Sequence, residues 1–396
     1  MRAFFKFILA VLFIVFIMTI SFREKKTAWK GTVEEEYGVE VVKNPKKPTH
    51  DDAVFSLKED LAIGEKERKV KNMFYLLTDM DADSNGNIYV LDSEDTNIKV
   101  YDQKGRFLRV FSRKGEGPGQ LSNPVDIYID DKNLIYVCDS GNKRISIFND
   151  KGDFVKHINF HDYSAGKMVG INPLGGIVLR VDKTSLESTM DFITRANFIN
   201  MYSDRFDFKR NLYSISVPIM QHFRKGEKGI TLTIPYQKEL CWTLDSSGNV
   251  YIGESQTYEI QVFSPSGKKI RRIEKEYEPS KVSKPDIEDY VKDQFLFDKK
   301  ERIFWSTTIK QQLRVPENKP VFEKFFFAED RLFVLRSENG SKGRFFFDIF
   351  DDEGRYSWKM RLKIRPWTWK NNKIYAVEKN EAGYHVIKRY KVFWRL

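Results

Sequence analysis

One short strand-like pattern, Asn87-Ile88-Tyr89-Val90-Leu91-Asp92, recurs along the chain. It returns as Leu134-Ile135-Tyr136-Val137-Cys138-Asp139, Asn249-Val250-Tyr251-Ile252-Gly253-Glu254, Arg331-Leu332-Phe333-Val334-Leu335-Arg336 and Lys373-Ile374-Tyr375-Ala376-Val377-Glu378. A degenerate copy is Gly175-Gly176-Ile177-Val178-Leu179. Centred on Tyr89, Tyr136, Val178, Tyr251, Phe333 and Tyr375, the copies are spaced 47, 42, 73, 82 and 42 residues apart. In the three clearest copies a second aromatic (Tyr101, Phe148, Phe263) follows the first by 12 residues, and a turn containing Gly105, Gly152 or Gly267 comes next. Asp, Asn or Ser three positions before Gly closes such turns, and Gly supplies the positive φ.

Short strands repeating at this period form a stacked or radial array, because one repeat alone cannot bury its own apolar faces. The strand is apolar at consecutive positions, as expected of a sheet covered on both faces, and this suits blades packed around an axis. Six centres predict an all-β, six-bladed β-propeller, and the two long spacings predict insertions at blades three and four. The alternating stretch Ala53 to Leu57 is expected to add to the last blade, Tyr384 to Phe393, and close the ring.

Gly115-Glu116-Gly117-Pro118-Gly119-Gln120-Leu121-Ser122-Asn123-Pro124, followed by Asp139-Ser140-Gly141-Asn142-Lys143-Arg144-Ile145, resembles the NHL repeat. The resemblance is closest from Thr78 to Phe160 and weaker elsewhere. The chain also resembles six-bladed propellers exported by bacteria, many of them lipoproteins. That resemblance implies a binding scaffold. It also implies an alternative, since some six-bladed propellers are lactonases or an amidating lyase with metal-supported chemistry at the channel mouth.

Residues 1–22 read as a signal peptide or membrane anchor. Arg2 and Lys6 flank an apolar run to Phe22 that starts at Phe4 if Lys6 snorkels. No cysteine lies there for lipid attachment. Residues 23–52, charged and carrying Pro45 and Pro48, read as a tether with a short strand at 37–42. The propeller is then 53–396, with a helical insertion at about 280–316. In that insertion Ser283-Lys284-Pro285-Asp286 is a helix start, and Ile287, Tyr290, Val291 and Phe295 form an apolar stripe expected to pack on the propeller, with a gate over the channel as the alternative.

The net charge of +11 invites comparison with nucleic-acid binders. Export and the lack of an aromatic–basic cluster argue against one. Cys138 and Cys241 fall at non-equivalent repeat positions and are not expected to pair. His157 and His161, four apart in a strand, lie about 13 Å from each other, too far for one zinc.

Asp81-Ala82-Asp83-Ser84-Asn85-Gly86, with Asp92 at position twelve, imitates a calcium loop and nominates Asp79, Asp81, Asp83 and Asn85 as metal ligands. The equivalent Asp245 to Tyr251 stretch lacks the extra acids, which favours a hairpin turn over calcium. No other cofactor is expected. Ligand-binding candidates are the loop residues Asp92, Asp139, Lys143, Arg144, Glu254 and Arg113. Trp367 and Trp369, two apart, are expected on one side of a strand.

The combined expectation is an exported, membrane-tethered propeller that binds a glycan, peptide or protein partner. The alternatives are a metal-supported propeller enzyme and a structural subunit of an envelope complex.

Overall fold

Every copy of the tyrosine motif is the second strand of an antiparallel sheet, and six such sheets are present in a computed structural model of the chain. The structure describes residues 28–395 except 51–53, 65–73, 75, 160–163, 173, 187–190, 297, 338–342 and 382. The expected span at residues 4–22 and His161 lie outside the described residues.

The N-terminal strands β1 (Thr32–Glu36), β2 (Val39–Asn44) and β3 (Phe55–Ile63) are distributed to later blades. Blade one is β4 (Leu77–Ala82), β5 (Ile88–Asp92), β6 (Asn97–Tyr101) and β7 (Phe107–Phe111). Blade two is β8 (Pro124–Ile129), β9 (Ile135–Asp139), β10 (Arg144–Phe148) and β11 (Phe154–Asn159). Blade three is β12 (Ser164–Ile171), β13 (Ile177–Leu186), β14 (Phe192–Tyr202), β15 (Phe208–Lys225) and β16 (Lys228–Thr233). Blade four is β17 (Leu240–Leu244), β18 (Val250–Glu254), β19 (Glu259–Phe263) and β20 (Lys269–Lys275). Helices α1 (Lys284–Gln294) and α2 (Lys299–Gln312) come next. Blade five is β21 (Phe322–Ala328), β22 (Arg331–Arg336), β23 (Phe345–Phe350) and β24 (Tyr356–Leu362). Blade six is β25 (Pro366–Lys370), β26 (Lys373–Lys379) and β27 (His385–Trp394), completed by β3.

The ring closes as the alternation at Phe55 predicted, with Phe55 opposite Trp394 and Ile63 opposite Ile387. Phe55, Phe333, Trp369 and Trp394 meet edge-on and stacked across the closure. Second strands β5 and β9 are buried at every position, so the apolar seams lie between blades, as the unbroken hydrophobic motif requires. Cys138 and Cys241 are free and buried in these seams.

The expected tether proves to be more than a spacer. The residues Tyr37 and Gly38, with φ of 53° and 74°, turn β1 into β2, the geometry of a two-residue hairpin. Strand β2 then pairs parallel with β20 and buries Val41 and Val42 completely. The long third spacing is taken up by elongated strands and a fifth strand, β16. In the fourth interval lie two helices. Ser283 and Asp286 form a capping box at α1, and Val291, Phe295, Trp305 and Ile309 pack with Phe223 and Leu232 of the β15–β16 hairpin. The stripe on α1 therefore serves packing, and no residue of either helix lines the channel.

The NHL-like motif has a mechanical basis. Asp139 accepts the backbone N–H groups of Ser122 and Asn123 at 3.0 and 2.9 Å. Asn142 donates to the Gly115 carbonyl, and Arg144 donates to the carbonyls of Glu116, Gly117 and Gln120. One hairpin of blade two thus grips the loop that enters it, which explains why the two halves of the motif occur together.

Candidate functional site

The innermost strands β4, β8, β12, β17, β21 and β25 surround a cavity of about 1400 Å³ on the propeller axis. Its mouth lies among the turns that join first to second strands, including Asp130 to Leu134, Asp245–Ser246 and Glu329–Asp330. Innermost strands are sheet edges whose N–H groups need partners. Carboxylates of the preceding blade supply them: Asp79 accepts from Ile127 (3.2 Å), Asp81 from Ile129 (2.7 Å) and Asp126 from Met168 (2.8 Å).

A bulge near the start of five of these strands sets which side chains face the axis. Pairing skips Thr78, Val125, Gly166, Glu323 and Trp367, whereas β17 pairs without a break. Bulges re-aim side chains locally. At one level the register then presents Asp79, Asp126, Lys167, Cys241 and Lys324. The bulge also corrects the expectation for the two tryptophans. Both reach the cavity wall, but Trp367 donates its ring N–H to Asp79 at 2.9 Å and packs toward blade one, while Trp369 packs into the opposite seam with Phe55 and Phe333. They do not share a side.

Burial, reinforced by the neighbouring Asp79 carboxylate, pushes the Asp126 carboxyl well above the usual range. The hydrogen bond between the Asp126 and Asp79 carboxyls contributes to that rise, and the Lys167 ammonium, 3.6 Å from Asp126 Oδ1, opposes it. Asp81 is likewise raised by burial, opposed by Lys370, which bonds it at 2.8 Å and also reaches the Ile129 carbonyl at 2.6 Å. Arg180 forms a two-pronged pair with Asp182 and lies 5.2 Å over the Trp242 ring.

Lys324 differs from these cations. Its ammonium donates to the Trp367 carbonyl and has no ion pair with a described carboxylate. The side chain is open to water in the cavity, and desolvation by the surrounding channel wall, opposed by Asp79 and Asp126, lowers its pKa to about 8.

The structure separates the residues nominated from sequence. Asp92, Asp139 and Arg144 are buried at the far ends of the second and third strands, where Asp92 accepts from Lys99 and from the Leu76 N–H, and the other two hold the loop described above. Glu254 accepts from Tyr213 and Lys238. Arg113 and Lys143 are exposed. None of the six lines the cavity.

The proposed calcium ligands do not converge. Asp79 and Asp81 face the channel from a strand, and Asp83 closes its own turn on the N–H groups of Asn85 and Asn87. Among the described residues no three His, Cys, Asp or Glu form a metal cluster. Sequence reasoning missed Asp126, Lys167, Arg180, Lys324 and Lys370. A signal was present: Asp79, Asp126 and Cys241 each precede their strand centre (Tyr89, Tyr136, Tyr251) by 10 residues, Lys324 by 9 and Lys167 by 11.

A family model described as a 6-bladed beta-propeller (DUF5128) matches residues 81–247. No curated protein matches the sequence. Among solved structures, a candidate exported protein of Bacteroides fragilis NCTC 9343 is similar at 14% identity, covering 89% of this chain and 99% of its own, with a TM-score of 0.51. A member of the duf4221 family from Bacteroides vulgatus also has 14% identity and a TM-score of 0.51, with 86% and 99% covered. Virginiamycin B lyase from Staphylococcus aureus is more distant, at 12% identity and a TM-score of 0.39, with 85% and 88% covered. The chain is a six-bladed β-propeller.

Proposed function

We propose that the chain is an exported propeller, held at a membrane by residues 4–22, that binds a polar ligand in the mouth of its channel. The observation that carries this reading is the cavity itself. About 1400 Å³ exceeds the usual small-molecule range of about 300–1,000 Å³, which favours a glycan or peptide segment over a single metabolite. Its wall offers aromatic faces (Tyr128, Phe206, Trp242, Trp367) beside carboxylates and ammonium groups, the combination that stacks on and hydrogen-bonds a sugar or peptide. Export is supported by the charged-then-apolar start of the sequence and agrees with the name of one structural relative.

The test is binding to glycan and peptide arrays by the wild type and by Thr243→Trp, which narrows the channel from the bulge-free strand. The expected result is a set of glycan or peptide signals weakened or lost in the variant. Signals unchanged in the narrowed channel, or no signal from either protein, would sink the reading.

A further inference from the structure

Four cations stand inside the channel: Lys167, Arg180, Lys324 and Lys370. Three have carboxylate partners, namely Asp126, Asp182 and Asp81. Lys324 has none among the described residues, because the carboxylate beside it in sequence, Glu323, is turned by the β21 bulge to pair with Arg365. The groups facing Lys324 come from every neighbouring element: Asp79 of β4, Asp126 of β8, Lys167 of β12, Cys241 of β17 and Arg365 ahead of β25. An accessible amine thus stands at the same level as the Asp79–Asp126 carboxyl pair.

We propose that Lys324 is the reactive amine of the channel, a site that captures small aldehydes and ketones, such as the open-chain form of a reducing sugar, as imines. This rests on the channel as the ligand site. The amine nitrogen attacks the carbonyl carbon and one nitrogen proton passes to the carbonyl oxygen, giving a carbinolamine. Asp126 donates its proton to that hydroxyl, which leaves as water while the nitrogen lone pair forms the C=N bond, and the iminium nitrogen then returns its remaining proton to Asp126. The balance is amine plus carbonyl giving imine plus water, with no oxidant or further reactant. Desolvated lysines are the ones that do this chemistry. With a pKa of about 8, about a quarter of Lys324 is neutral at pH 7.5, against about one in a thousand for an ordinary lysine.

The experiment is reductive trapping on the full chain, using glycolaldehyde with cyanoborohydride at pH 7.5, followed by proteolysis and peptide mapping by mass spectrometry. Lys324 should label at least about tenfold faster than the exposed rim lysines Lys132 and Lys156, with a rate that rises through a midpoint near pH 8. In Lys324→Arg that fast label should vanish while the others persist. In Asp126→Asn, which keeps the shape but has no acidic proton, the fast label should slow. Labelling of Lys324 no faster than Lys132 and Lys156 would overturn the proposal. The two readings fail separately: array binding weakened or lost in Thr243→Trp, together with slow labelling, keeps the channel and removes the amine. Fast labelling with array binding indifferent to Thr243→Trp keeps the amine and removes the larger ligand.

Discussion

Replacing Asp139 by alanine sets the two assignments of this residue against each other. As an exposed ligand contact it would be removable at little cost to stability. In the structure it is fully buried and accepts N–H groups from Ser122 and Asn123, with the Asn142 amide at 2.7 Å as a third donor. A hydrogen bond to a charged group contributes about 1.5–3 kcal/mol, and the abandoned donors keep their desolvation penalty. The donors are only partly buried, so the low end applies, and losing two to three such bonds should cost about 3–5 kcal/mol. For a chain of this length the unfolding entropy is about 0.8 kcal/mol/K at about 2.1 cal/mol/K per residue. The melting temperature should therefore fall by about 4–6 °C in scanning calorimetry. Asp131→Ala, at an exposed rim position with no side-chain bond to a described residue, is the matched control and should stay within about 0.5 kcal/mol. A fall below about 1 °C for Asp139→Ala would refute the clamp and return the residue to the list of free loop groups.

Three further outcomes follow from the same network of buried groups. Asp126 binds its proton more tightly folded than unfolded, so its contribution to stability is complete below the unfolded pKa of about 3.9 and is lost as pH rises through the folded value. The melting temperature of Asp126→Asn minus that of the wild type should accordingly grow from pH 4 to pH 8, and a flat or falling difference contradicts the buried acid pair. Phe55→Ala should cost about 3–5 kcal/mol, because this fully buried ring joins β3 to the Trp369–Trp394 stack; urea unfolding that is insensitive to it would mean the ring closes elsewhere. Adding millimolar calcium, or chelator, should leave the melting temperature unchanged, whereas a site filled to about 100 times its dissociation constant would add about 2.7 kcal/mol.

What the sequence made legible was whatever repeats. The tyrosine motif, its Gly turns and the alternation at Phe55 each report local geometry, and the blade count and ring closure followed from them. The β1–β2 hairpin was half legible: Tyr37-Gly38 and Val41-Val42 mark a turn and an apolar strand, but the parallel partner β20 lies more than two hundred residues away. The channel was the least legible part. Its side chains sit on the least conspicuous strand of each blade, and a bulge breaks the two-residue alternation by which a facing residue is read. Trp367 and Trp369 were misplaced for that reason. Asp79 and Asp81 stand out in the sequence because spacing along a turn imitates a calcium loop, whereas their part in the fold, accepting N–H groups of the next blade, leaves no sequence pattern.

The buried charges of this propeller divide by how they are compensated. Lys99 is sealed with Asp92 at 3.0 Å. Lys275 lies 3.5 Å from Asp348, whose oxygens also accept Tyr258 and Tyr356 hydroxyls at 2.6 Å each, and its ammonium sits 4.7 Å above both rings. Such groups are matched within the fold, as a desolvated charge must be to avoid a penalty of several kcal/mol. Lys324 differs from both: its side chain is open to the channel and has no carboxylate partner among the described residues, since Glu323 beside it pairs with Arg365. Polar groups left unmatched by the fold concentrate where a chain needs chemistry or recognition. The unmatched lysine, rather than the matched acids, is therefore the group on which the proposed use of the channel rests.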